Sequence, residues 1–263
     1  MSYSPEQIAN WLALKEMYGI GEHTSKLKTL PLTLKRLPSY EYPYQIFLAG
    51  PLQSKINIKK EELEEAHQIV DDKDISMFIH SSYLINLCQE PGAKADYLVK
   101  LLIKNLECGV AMGAKGVVVH VGKSLEMDRD KALQNMMVNM AECLEYATEE
   151  CPLLLETPAG QGTETLTSYT EFMEFVKVMD DPRLKICIDT CHIFAAGHDP
   201  VSYIEKAMKE GDYVRLIHYN DSKGKCGCCV DRHALPCCGE IGGDTMIRIA
   251  EVCSEAGIPM VYE

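Results

Sequence analysis

GAKADYLVKLLIKNLECGVAMGAKGVVVHV, residues 92–121, decides how this chain folds. Its first part carries apolar residues at helical spacing and ends at Gly113, a residue that stops a last turn. Its second part, KGVVVHV, is apolar at almost every position, the pattern of a short strand buried on both faces. The run ends around His120. Buried strands are normally bounded by turn formers such as Gly, Asn or Pro, so an imidazole in that place stands out.

The same grammar recurs outward from that unit. ISMFIH ends on His80, PLLLE on Glu156, KICID on Asp189 and PMVYE on Glu263, and RLIHY places His218 one residue before its end. Helical patterns over 58–72, 128–149, 167–179, 200–210 and 244–256 separate these runs. Two more strand-like runs, GIGEHTS (19–25) and YQIFLAG (44–50), flank the helical TLPLTLKRL. Alternating strands and helices with near-continuously apolar strands predict a parallel sheet covered by helices. Eight strands predict an α/β fold, a closed (β/α)8 TIM barrel, which takes ~250 residues. The chain has 263 residues with no linker or composition break, so a single domain is expected. In a closed parallel barrel all strand C-termini share one rim, which would bring the six strand-end ligands together. An open sheet would spread them along ~25 Å at ~4.8 Å per strand.

Composition narrows the class further. No apolar run reaches the ~18 residues of a membrane span. The N-terminus lacks a basic leader region and a cleavage site, and Ser4-Pro5-Glu6 reads as the cap of a helix over 5–17. Twelve cysteines are many, but Cys108, Cys143, Cys187 and Cys253 fall inside apolar patterns and read as small buried hydrophobes. Without an export signal, the expected setting is an intracellular, reducing one, cytoplasm or nucleus, and not secretion. A formal charge of −13 argues against nucleic acid as a partner. Carboxylates clustered on divalent cations would invert the local field, so net charge does not decide the partner.

Three loops add ligands. CIDTCHIFAAGHD puts His192 three residues after Asp189, at a strand-to-helix turn. DRH sets Asp231 and His233 two apart, on one side of an extended segment. ETPAGQG follows Glu156 with small residues that admit a close approach. The candidate set is then His80, His120, His192, His218 and His233 with Glu156, Asp189, Asp231 and Glu263. Nine ligands exceed one tetrahedral zinc and suit three ions with one bridging carboxylate.

HSSYLINL, ETPAGQGTE, CIDTCHIFAAGHD, HYNDSK and DRH closely resemble the signatures of the endonuclease IV family of apurinic/apyrimidinic endonucleases. The resemblance runs from about residue 19 to the end. It implies a trinuclear Zn2+ site, with Mn2+ an alternative at some positions. His80, His120 and Glu156 would hold the first ion. Glu156, Asp189, His218 and Glu263 would hold the second, and His192, Asp231 and His233 the third. Glu156 and Glu263 take the catalytic positions. The implied reaction is hydrolysis of the phosphodiester 5′ to an abasic site in double-stranded DNA, leaving a 3′-OH and a 5′-deoxyribose phosphate, with trimming of blocked 3′ ends. Tyr83 and Leu84 match positions that wedge into DNA, Arg232 and Lys223 are candidate phosphate contacts, and a monomer is implied.

Departures from the family are visible too. Where the family inserts an Arg after the second strand, this chain has Leu52, with Lys55 close by. Cys226, Cys228, Cys229, Cys237 and Cys238 surround the third ligand set. They read as a further thiolate zinc site, a redox-sensitive disulfide or a tolerated Cys-rich loop. The sequence ends at Glu263, which predicts a barrel lacking the family's usual C-terminal helix. Residues 1–18, an N-terminal helical extension to the barrel of 19–263, are expected to cover that flank. Two rival functions share parts of the pattern: a sugar isomerase or epimerase on a related metal-dependent barrel, and a catalytically impaired lesion-binding protein.

Overall fold

In the computed structural model, which describes residues 3–263, helix and strand alternate along the whole chain. The order is α1 (Pro5–Tyr18), β1 (Gly21–His23), α2 (Leu30–Lys35), β2 (Tyr44–Phe47), α3 (Lys60–Asp72), β3 (Met77–His80), α4 (Ala93–Met112), β4 (Val117–His120), α5 (Arg129–Leu144) and β5 (Leu153–Glu156). There follow α6 (Tyr169–Met179), β6 (Leu184–Asp189), α7 (Thr190–Ala195), α8 (Pro200–Lys209), β7 (Val214–His218), β8 (Asp221–Ser222), β9 (His233–Ala234), α9 (Gly243–Glu255) and β10 (Met260–Tyr262). Eight parallel strands close in the order β1-β10-β7-β6-β5-β4-β3-β2, a TIM barrel in a single domain. β8 and β9 form a small antiparallel pair beside it.

Strand parity organises the molecule. Phe78, Val118, Leu154, Cys187, Leu216 and Val261 make one buried cluster inside the barrel. The residues between them, among them Met77, Ile79, Val117, Val119, Leu153 and Leu155, belong to the larger core shared with the helices. Side chains alternate along a strand, so residues two apart share a face. His80, His120, Glu156, Asp189, His218 and Glu263 each stand two residues beyond a member of the interior cluster. All six therefore point into the barrel at its C-terminal mouth.

The helix ends follow local chemistry. α1 has a capping box, with the Ser4 hydroxyl accepting from Gln7 N and the Gln7 side chain accepting from Ser4 N. Gly113 closes α4 at φ 75°, the left-handed conformation that glycine adopts without a Cβ penalty. Two elements depart from the sequence reading. YQIFLAG is a strand only as far as Phe47, and the loop after Asp189 contains the extra helix α7.

α1 is packed against the barrel. Trp11 and Leu14 are buried. The Trp11 ring lies 6.1 Å from Tyr219 and 5.3 Å from Tyr262. Lys15 pairs with Glu22 at 2.6 Å, and the Tyr3 hydroxyl accepts from Leu235 N at 2.8 Å. Replacing a buried Trp with Ala typically costs about 3–5 kcal/mol. We expect a loss of that size for Trp11→Ala in urea unfolding; a loss below about 1 kcal/mol would mean that α1 contributes little to the fold.

Candidate metal centre

The strand ends meet around Glu156, a fully buried carboxylate. One of its oxygens, Oε2, lies 3.2 Å from His80 Nε2 and 3.4 Å from His120 Nε2. The other, Oε1, lies 2.9 Å from His218 Nδ1 and 3.5 Å from His192 Nδ1. Glu263 Oε2 approaches His218 Nδ1 to 3.0 Å and Asp189 Oδ2 approaches it to 3.8 Å. On the far side, Asp231 reaches His233 Nε2 at 3.1 Å and His192 Nε2 at 3.4 Å, and Asp189 Oδ2 lies 3.6 Å from His233 Nε2.

Ligand atoms within 4.8 Å of one another fall into overlapping groups. His80–His120–Glu156, Glu156–Asp189–His218–Glu263 and His192–Asp231–His233 are three of them. His80–His218–Glu263 and Asp189–Cys191–His233 are two more. All nine residues named from the sequence thus converge on one mouth.

Local structure aims these side chains. Asp189 caps α7, its Oδ1 accepting from His192 N at 2.8 Å, so one residue both ends a strand and orients the next histidine. His192 Nδ1 lies 2.9 Å from the Thr157 carbonyl oxygen and His80 Nδ1 lies 2.7 Å from that of Ser81. These carbonyls accept the Nδ1–H and so turn each Nε2 toward the carboxylates, Glu156 for His80 and Asp231 for His192. Asn220 donates to Asp189 Oδ2 at 2.7 Å and accepts from Glu263 N at 3.1 Å. The β8–β9 pair brings His233 to the mouth, opposite Ser222.

These residues fit divalent cations. His120 Nε2, His192 Nε2 and His233 Nε2 are buried and have no hydrogen-bond partner. Buried polar nitrogens are normally satisfied, and bare imidazole nitrogens beside carboxylates are the donors that zinc and similar ions take. Among the described residues, every ion-pair partner of Glu156, Asp189, Asp231 and Glu263 is a histidine. Four carboxylates gathered without Lys or Arg need positive charge from elsewhere.

Protonation in the metal-free protein follows from the same crowding. Burial pushes His120 down to about 4. Burial also opposes charge on His192, His218 and His233, yet nearby anions outweigh it and raise all three. Asp189 acts on His192 and His233; the Cys187 sulfur, then Glu263 and Glu156, act on His218. Burial would raise Glu156 and Glu263, but the surrounding histidines hold both well below the ordinary carboxylate range. Asp189 is raised by its burial.

Of the remaining expected residues, Tyr83 stands against the ligand histidines. Tyr83, 51 % exposed, sets its ring edge-on to His80, His120 and Phe47 and leaves its outer side to solvent. Leu84 beside it is 42 % exposed. Tyr83 N and the Ser82 hydroxyl both donate to the Pro51 carbonyl, which ties this loop to the one after β2. In that second loop Leu52 is 69 % exposed, and Lys55 lines a cavity of about 480 Å³ with His23 and Phe47. Lys223 and Arg232 are neighbours on the β8–β9 hairpin, the Lys223 N–H donating to the Arg232 carbonyl.

The Cys-rich loop does not form a thiolate cage. Among the described residues, no metal-competent group contains Cys226, Cys228, Cys229, Cys237 or Cys238, and all five thiols are free. Their side chains go to separate places. Cys228 lies against Gly224, Cys229 against Gly160, and Cys237 against the Gly243 carbonyl.

Sequence reasoning missed the polar shell behind the ligands. Gln45 is fully buried between His218 and Glu263, and His23 sits 3.4 Å from Glu263. Asp221, three residues after His218, accepts backbone N–H bonds from Ser222, Gly239 and Ile241. His23 ending the first strand was the available signal for one of them; the others carry none.

Zinc must displace the protons held on the raised histidines. Loading metal-stripped protein at pH 7 should therefore release protons, giving a more exothermic titration in Tris than in phosphate. Equal heats in the two buffers would contradict the raised histidines.

Comparison with known proteins agrees with this geometry. A family model described as a xylose isomerase-like TIM barrel matches residues 44–256. An endonuclease 4 of Acanthamoeba polyphaga mimivirus is 35 % identical over 84 % of this chain and 76 % of its own. One from Streptomyces coelicolor is 34 % identical over 83 % and 79 %. The crystal structure of endonuclease IV from Thermus thermophilus superposes with a TM-score of 0.79 at 25 % identity, covering 93 % of this chain and 91 % of that one. With its fold, its convergent His and carboxylate clusters and these relatives, the chain belongs to the endonuclease IV family.

Proposed function

We propose that this protein is a zinc-dependent apurinic/apyrimidinic endonuclease of DNA base-excision repair. It cuts the phosphodiester 5′ to an abasic site in duplex DNA, leaves a 3′-OH and a 5′-deoxyribose phosphate, and trims blocked 3′ ends. The observation that carries this reading is the third ligand set, His192, Asp231 and His233, standing beside the other two. A sugar isomerase or epimerase has use for one or two ions at such a rim and leaves a third set without a role, whereas phosphodiester hydrolysis can use added cations on the attacking and leaving oxygens and the phosphate between them.

His80, His120 and Glu156 would hold one ion, Glu156, Asp189, His218 and Glu263 a second, and His192, Asp231 and His233 the third. Bound divalent ions supply Lewis-acid polarisation of the phosphate and a water of lowered pKa. The protein's part is positioning. Glu156 turns one oxygen to His80 and His120 and the other to His218 and His192, which suits a bridge between sets. Tyr83 and Leu84 stand exposed over the ligand rings, where they can wedge beside an extruded nucleotide. An abasic nucleotide has no base pair to break, so extrusion is cheap and contributes selectivity. Lys223 and Arg232 offer cations to the DNA backbone. Leu52 makes the wedge more apolar, with Lys55 as the nearby cation. The twelve free cysteines accord with a reducing, intracellular setting, and no helix is long and apolar enough to cross a membrane. We assign the protein as a monomer.

A nicking assay on an abasic-site duplex, with EDTA-stripped and zinc-restored protein, tests this directly. Restored protein should cut; interconversion of a pair of epimeric ketoses with no cutting of the DNA would overturn it. Losing an outer-shell partner of a metal typically costs about 10–100-fold. Glu263→Ala, which removes a ligand itself, should lose at least about a hundredfold in cleavage while still binding lesion DNA. Near-normal cleavage would remove Glu263 from its role. Serine at Cys226, Cys228, Cys229, Cys237 and Cys238 should leave three zinc ions per chain, and fewer would return the thiols to the metal site.

A further inference from the structure

Six of the eight strands supply the apolar layer inside the barrel, and at that level β2 carries Gln45 instead. Gln45 pairs in register with Phe78, a member of the interior cluster, and it is 0 % exposed. A buried amide must satisfy a carbonyl oxygen and two N–H donors or lose stability. Gln45 satisfies them on groups that belong to the metal centre. His218 Nε2 lies 2.9 Å from its Oε1. Its Nε2 donates to Glu263 Oε1 at 2.6 Å and lies 3.1 Å from His23 Nδ1.

Chemistry fixes the direction of this relay. An ionised carboxylate only accepts, so the amide NH2 must face Glu263 and the amide oxygen must face His218. The amide oxygen in turn accepts, so His218 carries its proton on Nε2. His218 Nδ1 is then the nitrogen left for an ion, and it faces Glu156 Oε1 at 2.9 Å and Glu263 Oε2 at 3.0 Å. Gln45 also holds Glu263 by Oε1, leaving Oε2 turned to the same point. One side chain on β2 thereby orients two ligands that are 173 and 218 residues away.

We propose that Gln45 is a positioning residue for the metal set of Glu156, Asp189, His218 and Glu263: it selects the Nε2–H tautomer of His218 and fixes which Glu263 oxygen faces the ion. A carboxylate, an ammonium or an apolar side chain there would fail at least one of the two partners. Glu would accept from His218 but repel Glu263, and Lys would donate to Glu263 but offer nothing to the His218 N–H. Apolar residues of similar length would leave the His218 N–H buried and unpaired, with Glu263 free to rotate. The inference rests on the three-ion reading for the count of ions, but the tautomer it assigns does not depend on that count.

Gln45→Met, close in volume, is the test, read by zinc retention and by His218 itself. Against a graded chelator, Gln45→Met should lose one zinc per chain at a free-zinc level about 10–100-fold higher than wild type requires, the usual cost of a lost outer-shell partner. The other ions should stay. Long-range 1H–15N spectra of the zinc-loaded wild type should show His218 protonated at Nε2; Gln45→Met should lose that single state. Gln45→Glu restores an acceptor and should recover the Nε2–H signature while still binding zinc more weakly than wild type. If Gln45→Met does not fold, Gln45→Ala carries the same comparison. Unchanged zinc retention, or a His218 signature indifferent to residue 45, overturns the proposal. A wild type holding fewer than three zinc ions would instead count against the three-ion reading, and the loss relative to wild type would still judge Gln45.

Discussion

Glu156 is the constraint around which the mouth of this barrel is organised. A carboxylate with almost no solvent exposure is costly unless charges and hydrogen bonds compensate it. Here four imidazoles stand within 3.5 Å of its two oxygens, carried by β3, β4, α7 and β7. β4 is the direct neighbour of β5, whereas His80 on β3 and His218 on β7, two strands away on either side, reach Glu156 because the sheet curls into a barrel.

Everything behind the ligands serves to keep a particular nitrogen or oxygen facing inward. Backbone carbonyls of Ser81 and Thr157 take one ring nitrogen of His80 and His192, and the Gln45 amide takes that of His218. Asn220 holds Asp189 by its side chain and Glu263 by its backbone. Polar networks in a low-dielectric interior are rigid when fully satisfied. The atoms left unsatisfied, three histidine Nε2 positions, are then the places where an added cation fits. The loops above remain exposed, and a surface that must meet a large substrate needs that.

Much of the centre was legible in the chain. Strand-end His80, His120, Glu156, Asp189, His218 and Glu263 could be read because their apolar runs alternate with helices, and parity then points all six inward. His192 and the Asp231–His233 pair were readable from short spacing alone: His192 follows Asp189 closely, and Asp231 and His233 flank a single residue. Gln45 was not readable: YQIFLAG presents it as one polar residue in a strand, and its partners lie far along the chain. Asp221 follows His218 closely in HYNDSK, and its carboxylate turns to the amides of Ser222, Gly239 and Ile241. The five loop cysteines look like a cage when written in a line, yet among the described residues none of them joins a group able to hold a metal.

Architecture and the ligand inventory are properties of the chain as written. Both follow from local physics: the periodicity of apolar residues, caps and glycine stops, and side-chain chemistry at strand ends. The assembled barrel settles the rest: which oxygen of Glu156 faces which histidine, which nitrogen of each imidazole is left bare, and that Gln45 bridges β2 to β7 and Glu263. Those choices depend on the register and stagger of a closed barrel. Register sets distances between residues far apart in the chain, and no local pattern encodes it.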